Sequence, residues 1–330
     1  MTTYNGESFL AEQIDSILHQ DYPHIQVIVV DDCSTDKTVK ILKKYASLGK
    51  INFYQNSENL GYVKNFEKAI KLCSGEFVAL ADQDDLWKTT KISRLIDEIG
   101  NNVLVHTDAI LIDAERNVIA DSYSLYANKM VHPNSISDVL LNGSVTGCTA
   151  LVRMSFLKSA LPFPQGLYVH DKWLAILAYL ENGLIYLPHQ LVEYRQHSKN
   201  SIGVSRYKSP FSQKFKRLFS HEKSKINHLP FRNALIKEYT LVNRLLEKKS
   251  LTEKSIASIE KVKTFYRYIL LGKNLTFVIT YFFANISSFE KNKPFIQKIY
   301  YFYLILNSFK YSRKLGVEAE NELQLVDSKL

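Results

Sequence analysis

Asp82, Asp84 and Asp85 stand within four positions of one another, directly after the apolar run Phe77–Val78–Ala79–Leu80–Ala81. Carboxylates this close repel one another and need a counter-ion or a function. The counter-ion that suits them is a hard divalent cation such as Mg²⁺, which takes one or two carboxylates together with substrate phosphates. The apolar run fits a central strand of an α/β domain, where ligands bind beyond the carboxyl ends of the strands. The bland alternative is a polar turn in which Asp84 or Asp85 caps a helix starting near Trp87.

Two further acidic positions follow strand-like or apolar stretches. Asp31–Asp32 end the run Ile25–Val30, and Asp171 follows Gly166–Leu167–Tyr168–Val169. If the first two strands lie side by side, their acidic ends face one crevice. Asp32 then suits hydrogen bonds from a nucleotide base or ribose, and Asp84 suits a metal bridging a diphosphate, neutralising charge on a leaving group. Asp171, on a separate segment, is free to act as a general base if its surroundings tune it. An Asp before Lys172–Trp173 reads equally as a helix cap.

These residues need elements to hold them. Phe9, Leu10, Ile14, Ile17 and Leu18 form a helical stripe within Ser8–Gln20. Thr35 or Asp36 is placed to cap a helix from Lys37 to about Ala46. Ile51–Tyr54 reads as a strand, Tyr62–Cys73 as an amphipathic helix and Glu76–Ala81 as the strand before the acidic cluster. Such alternation predicts right-handed βαβ units in a mostly parallel sheet. Further strands are expected at Val103–His106, Ala109–Ile112, Ser144–Val152, Leu184–Leu187 and Leu191–Arg195, the last two about a break at Pro188, with a helix over Trp173–Leu180. Beyond 210 the pattern is helical and basic.

Of the 42 basic and 33 acidic side chains that give the net charge of +9, residues 1–200 hold 18 and 23, leaving 24 and 10 for the rear. An acidic front fits a metal-holding cleft, and a basic rear fits an anionic surface such as a bilayer. Aromatic residues are interleaved there, at Tyr281–Phe283 and Tyr300–Tyr303, as in helices that lie on membranes. The longest charge-free run, Asn274–Phe289, falls short of the roughly 18 residues of a spanning helix. The expectation is association with a membrane face, against the alternative that the aromatic side chains form the core of a helical subdomain. Cys33, Cys73 and Cys148 are too scattered for a disulfide framework or a zinc site and suit a reducing cytosol. The chain opens on polar residues, unlike a signal peptide. A nucleic-acid partner is not expected, because an acidic crevice repels phosphates.

Seven stretches in order resemble the motifs of the family-2 glycosyltransferases, which have the GT-A fold. They are Thr3–Glu7, Val30–Thr38, Asn56–Gly61, Asp82–Gln83–Asp84–Asp85–Leu86–Trp87, Val145–Thr149, His170–Asp171 with Trp173–Ala175, and Tyr194–Arg195–Gln196–His197. The agreement runs from residue 2 to about 203 and is nearest to bacterial members that include rhamnosyltransferases. The resemblance implies a Rossmann-like domain over residues 1–205 and a separate helical region over 206–330. It places Thr3, Tyr4, Asn5 and Asp32 around the nucleotide and Asp82 at the sugar-nucleotide. Asp84 becomes the ligand of Mg²⁺ or Mn²⁺, and Asp171 the base that deprotonates an acceptor hydroxyl for inverting attack on the anomeric carbon. Arg195 and His197 are assigned to the diphosphate or the metal. Gly147 leaves room for a sugar, or is simply a bend. The donor is expected to be a nucleotide sugar, dTDP-rhamnose first, with UDP-galactose or UDP-N-acetylhexosamine as alternatives. The acceptor is expected to be a lipid-linked saccharide at the cytoplasmic face of the membrane, in synthesis of a bacterial surface polysaccharide.

Two departures stand out. Lys172 occupies a place where this group often carries Trp or another bulky residue. Only Met1 and Thr2 precede the Thr-Tyr-Asn-Gly motif, where an apolar strand usually stands. Losing about four buried apolar side chains, each worth roughly 1.5–3 kcal/mol, rivals the whole stability of a domain. The expectation is therefore a natural start upstream, with a missing or truncated first strand here. Two other classes remain open at this level. A nucleotidyltransferase would also use metal-binding carboxylates, but it wants a basic glycine-rich loop that Thr3–Gly6 does not supply. A non-catalytic membrane-associated binding protein fits if the short form is genuine.

Overall fold

β-branched runs and amphipathic stripes alternate along the front of the chain, and a computed structural model shows what they build, describing residues 1–127, 129–198, 229–248, 251–286 and 295–328. The elements are β1 (Thr2–Thr3), α1 (Leu10–Leu18), β2 (Ile28–Asp31), α2 (Thr38–Ser47), β3 (Asn52–Gln55), α3 (Tyr62–Leu72) and β4 (Phe77–Ala79). β1, β2 and β3 form a parallel sheet, with Thr2 opposite Val30 and Ile28 opposite Asn52. Ile28 and Val30 of β2 meet Ala69 of α3 in one core cluster, which explains why these β-branched residues and this helix face are apolar. The N-cap of α2 is Lys37, not Thr35 or Asp36; Asp36 stands one residue earlier, its carboxylate accepting the Thr38 N–H at 2.9 Å in a turn ahead of the helix. β1 has two residues, and the amine of Met1 donates to the Ile28 carbonyl at 2.7 Å.

The second sheet is mixed, which corrects the expectation of a mostly parallel one. After β4 come β5 (Leu86–Trp87), α4 (Lys91–Glu98), β6 (Leu104–Ile112), β7 (Val118–Ala120), α5 (Tyr123–Tyr126), α6 (Ile136–Asn142), β8 (Ala150–Arg153), α7 (Met154–Ala160), α8 (His170–Leu180) and β9 (Leu184–Arg195). The strand order is β4-β8-β6-β9-β5, with β7 beside β6. Only β6 and β9 run parallel here; β4–β8, β6–β8, β5–β9 and β6–β7 are antiparallel. Leu86–Trp87 therefore form a strand against β9, and the helix expected near Trp87 starts only at Lys91.

Two pairs of expected strands merge. β6 runs unbroken through His106–Thr107–Asp108, and β9 runs through Pro188, with register shifts at those points. Buried Asp108 is tolerated mid-strand because Ser122 Oγ, the Ser124 N–H and the Ala109 N–H all donate to it. The strand expected from Ser144 begins later, at Ala150, after a 3₁₀ turn at Gly147–Thr149.

The chain divides into two compact units, Met1–Arg195 and Gln196–Leu330; the expected boundary at 205/206 lies outside the described residues. The second unit contains α9 (Leu229–Leu246), α10 (Glu253–Leu271), α11 (Leu275–Ala284), α12 (Phe295–Leu315) and α13 (Val317–Ser328). Among the described residues, several of its aromatic side chains pack inward. Phe282 is buried and stacks on Phe302 with ring centres 5.0 Å apart, and Tyr281 lies 4.9 Å from Phe265. Phe283, by contrast, is half-exposed. The side chains of Tyr300, Tyr301 and Tyr303 lie outside the described ones. Buried Arg232 ties α9 to the Leu270 carbonyl, Ser312 and Glu322. Gly272 ends α10 at φ +63°, and a Cβ there would overlap the backbone of Arg313, so this turn requires glycine. Among the described residues, no helix is long and apolar enough to cross a membrane.

Candidate active site

Four loops meet beyond the carboxyl ends of β1, β2, β3 and β4. Each is fixed by side chains that the sequence motifs contain. Asp31, fully buried, accepts hydrogen bonds from Thr3 Oγ1 (2.9 Å), the Ser34 N–H (2.9 Å) and Ser34 Oγ (2.5 Å), which binds the first loop to the second. Asn5 adopts φ +49°; its N–H donates to Ser34 Oγ, and its side-chain oxygen accepts from the Thr35 N–H at 2.8 Å. Thr3 is buried, while the Tyr4 ring is almost half exposed at the rim.

Asp32 is also buried, at 3% exposure. Its two oxygens accept from Asn56 Nδ2 (2.8 Å), the Leu60 N–H (2.8 Å) and the Gly61 N–H (2.9 Å). In this state its carboxylate anchors the loop after β3. Gln83 makes a two-point clasp on the backbone of Tyr4, accepting from its N–H at 2.8 Å and donating to its carbonyl at 3.0 Å. A Cβ on Gly6 would overlap the Gln83 amide, so glycine at position 6 is the condition for that clasp.

The acidic loop itself holds Asp82, half-buried, and Asp84 and Asp85, both buried. Oxygens of Asp82 and Asp85 and the Cys148 sulfur lie within 4.8 Å of one another. Burial, then repulsion from Asp84 and Asp171, pushes Asp82 up to about 7. Burial and the charges of Asp84 and Asp82 push Asp85 upward as well. Asp85 Oδ2 is buried without a hydrogen-bond partner. Close, mutually repelling carboxylates with an unsatisfied buried oxygen fit a bound divalent cation. Cys148 is a poor ligand for a hard cation; burial and Asp85 raise its pKa, so it stays a thiol and hydrogen-bonds to Asp85.

Asp171 lies in the first turn of α8, whose N-cap is Val169, so the alternative reading of Asp171 as the cap residue does not hold. One carboxylate oxygen accepts from the Lys172 N–H at 2.6 Å and the other from the Gly147 N–H at 3.1 Å. Its charge is felt by Asp82, Tyr62 and Tyr123, which places it opposite the acidic loop. Beside it, His170 is buried and stacked 4.2 Å from the Phe66 ring, with its ring nitrogens unpartnered; burial lowers its pKa and keeps it neutral.

Arg195 ends β9. It is 2% exposed, and its guanidinium donates to the Asp84 carbonyl (2.9 Å), the Ala114 carbonyl (2.9 Å) and Glu12 (2.8 Å), with Phe9 4.5 Å from Cζ. Its own N–H donates to Asp85 Oδ1 at 3.1 Å. These bonds brace the acidic loop. His197 lies two residues past β9, at the start of the second unit, and is half-buried.

Lys91 was not foreseen. It is fully buried at the start of α4, donates to the Cys148 carbonyl at 2.7 Å and sits 3.3 Å from the Trp87 ring centre. Burial lowers its pKa to about 7, against the pull of Asp85 and Asp82. It joins the acidic loop to the turn whose Gly147 N–H holds Asp171.

The Glycosyl transferase family 2 profile matches residues 1–159. The chain is 31% identical to the dTDP-rhamnosyl transferase RfbG of Shigella flexneri over 236 residues, which is 66% of this chain and 78% of that protein. The chain belongs to the family-2 glycosyltransferases. It is 28% identical to the Escherichia coli UDP-Glc:alpha-D-GlcNAc-diphosphoundecaprenol beta-1,3-glucosyltransferase WfgD, over 63% of this chain and 79% of that one. Among solved structures it resembles S. aureus TarS 1–349 in complex with UDP-GlcNAc, with a TM-score of 0.53 and 21% identity, covering 81% of this chain and 71% of that one. The fold is thus that of the GT-A glycosyltransferases, and the family-2 assignment makes this chain an enzyme of glycosyl transfer.

Proposed function

We propose that this family-2 glycosyltransferase moves a sugar from a nucleoside-diphosphate donor to a lipid-linked saccharide, with inversion, in the synthesis of a bacterial surface polysaccharide. The observation that carries this reading is the closeness of Asp82 and Asp85 in the loop after β4, with the charges of Asp84 and of Asp171, at the start of α8, acting on Asp82. dTDP-rhamnose is the first donor to try, because the RfbG name specifies dTDP-rhamnosyl transfer; the WfgD name specifies a diphosphoundecaprenol-linked acceptor.

In this reading Thr3, Tyr4 and Asn5 line the nucleotide pocket, with the exposed Tyr4 ring as a face for the base. Asp32 shapes the loop of residues 56–61 along that pocket. Asp84, with Asp82, would hold Mg²⁺ or Mn²⁺, which supplies neutralising charge at the diphosphate leaving group. Asp171 takes the proton of the acceptor hydroxyl as that oxygen attacks the anomeric carbon. The bond to the diphosphate breaks on the opposite face, so configuration inverts and nucleoside diphosphate leaves. The Gly147 N–H and the α8 N-terminus orient the Asp171 carboxylate toward its task. His197 remains a proposed contact to the diphosphate. The basic second unit supports docking at the inner face of the cell membrane.

A panel of nucleotide sugars, each incubated with the chain and Mn²⁺, tests the reading. Slow release of nucleoside diphosphate from one or two donors is expected. Release of pyrophosphate would instead indicate nucleotidyl transfer, and neither product would indicate a binding protein.

A further inference from the structure

One buried charge beside the acidic loop has no part in the proposed transfer chemistry. Lys91 opens α4 and is fully enclosed. Its Nζ donates to the Cys148 carbonyl at 2.7 Å and lies 3.3 Å from the centre of the Trp87 ring. The sulfur of the same Cys148 is within 4.8 Å of oxygens of Asp82 and Asp85. A single residue thus bridges the ammonium and the carboxylates.

Enclosing an ammonium is costly unless opposite charge offsets it. A neutral amide donor would satisfy the Cys148 carbonyl equally well, so the hydrogen bond alone does not account for a lysine here. What a lysine adds is charge. The face of the Trp87 ring and the carboxylates of Asp85 and Asp82 favour its protonated form against burial. The carboxylates in turn lack a partner: Asp85 Oδ2 is buried and has no hydrogen bond among the described residues. Asp82, Asp84 and Asp85 carry three negative charges when ionised, and Lys91 returns one positive, leaving two. That remainder equals the charge of Mg²⁺ or Mn²⁺.

We propose that Lys91 is the fixed positive charge that sets the valence preference of the cation site, matching the acidic loop to a divalent ion that carries a diphosphate. The inference rests on the reading of Asp82 and Asp84 as cation ligands. A positive charge so placed repels a cation in the cluster and attracts the phosphates bound to that cation. Removing it therefore acts on the two ligands with opposite signs, which loss of a packing contact does not.

Calorimetry on the full chain tests this with Mn²⁺ alone, with La³⁺ alone, and with dTDP added to the Mn²⁺-saturated protein, in the wild type and in Lys91→Met. Lys91→Gln, which keeps a neutral donor for the Cys148 carbonyl, is measured beside it, so that a folding defect in one variant leaves the other. Binding that persists in Asp84→Asn belongs to other acidic groups and is subtracted. The uncharged variants are expected to raise the preference for La³⁺ over Mn²⁺ at least about tenfold and to bind dTDP at least about tenfold more weakly. Cation and dTDP affinities that fall together would make Lys91 a structural tie, and unchanged affinities would remove it from the site; either result overturns this inference alone. A wild type that binds neither cation overturns it together with the metal of the proposed function.

Discussion

Asp171→Asn should abolish sugar transfer while leaving donor binding intact. The substitution keeps the shape of the side chain and an oxygen for the Gly147 N–H, but removes the proton acceptor. Loss of a positioned general base typically costs about 10²–10⁴-fold in rate. The charge at the start of α8 stabilises the helix by only about 0.3–1 kcal/mol, so the variant should fold. Transfer to a saccharide acceptor, measured beside donor affinity by calorimetry, separates the two effects. An affinity that falls together with the rate would place Asp171 at the donor instead, and an unchanged rate would remove it from the chemistry.

Arg195→Met should destabilise the front unit and loosen donor binding as a consequence. The side chain bonds two backbone carbonyls and Glu12 while almost wholly enclosed. Glu12 is largely exposed and can turn to water, so the loss comes mainly from the carbonyls of Asp84 and Ala114. Leaving one buried and one part-buried acceptor unpaired costs about 2–4 kcal/mol in all, partly offset by the apolar Met. For a unit of this size the melting temperature should fall by roughly 5–15 °C. Arg195→Lys should not restore it, because an ammonium cannot span the same acceptors. Were Arg195 a direct diphosphate contact, donor affinity would drop with the melting temperature unchanged.

The difference between what the sequence discloses and what only the structure adds follows the range of the interactions. Asp32, Asp82, Asp84 and Asp171 stand out in the sequence because each follows an apolar run, but only the structure shows that Asp32 also anchors the loop after β3 through Asn56, Leu60 and Gly61. α1, α2 and α3 are legible because their stripes and the turn at Asp36 are local. β5 is not, since Leu86–Trp87 is extended only through pairing with Val192–Glu193, about a hundred residues away. His106–Asp108 read as a break because polar residues interrupt the apolar run, yet distant serines satisfy Asp108 within a continuous strand.

The same reasoning explains two buried cations. An Arg at the end of a strand and a Lys at the start of a helix both look like surface charges. Arg195 and Lys91 are instead buried against carbonyls contributed from remote segments, and no local pattern announces that. Gln83 and Gly6 belong together for a similar reason: one fills the space the other leaves, across 77 positions of sequence. In the second unit the aromatic residues suggested a membrane face, but a ring stacked on a neighbouring helix and one presented outward share the same local spacing.

The most direct measurement is calorimetric titration of Mn²⁺ and the donor selected by the panel, for the wild-type chain and for Asp84→Asn. If the acidic rim holds the cation that carries the donor, Mn²⁺ should tighten donor binding at least about tenfold in the wild type and leave it unchanged in the variant. Donor binding indifferent to both Mn²⁺ and chelator in the wild type would contradict the account.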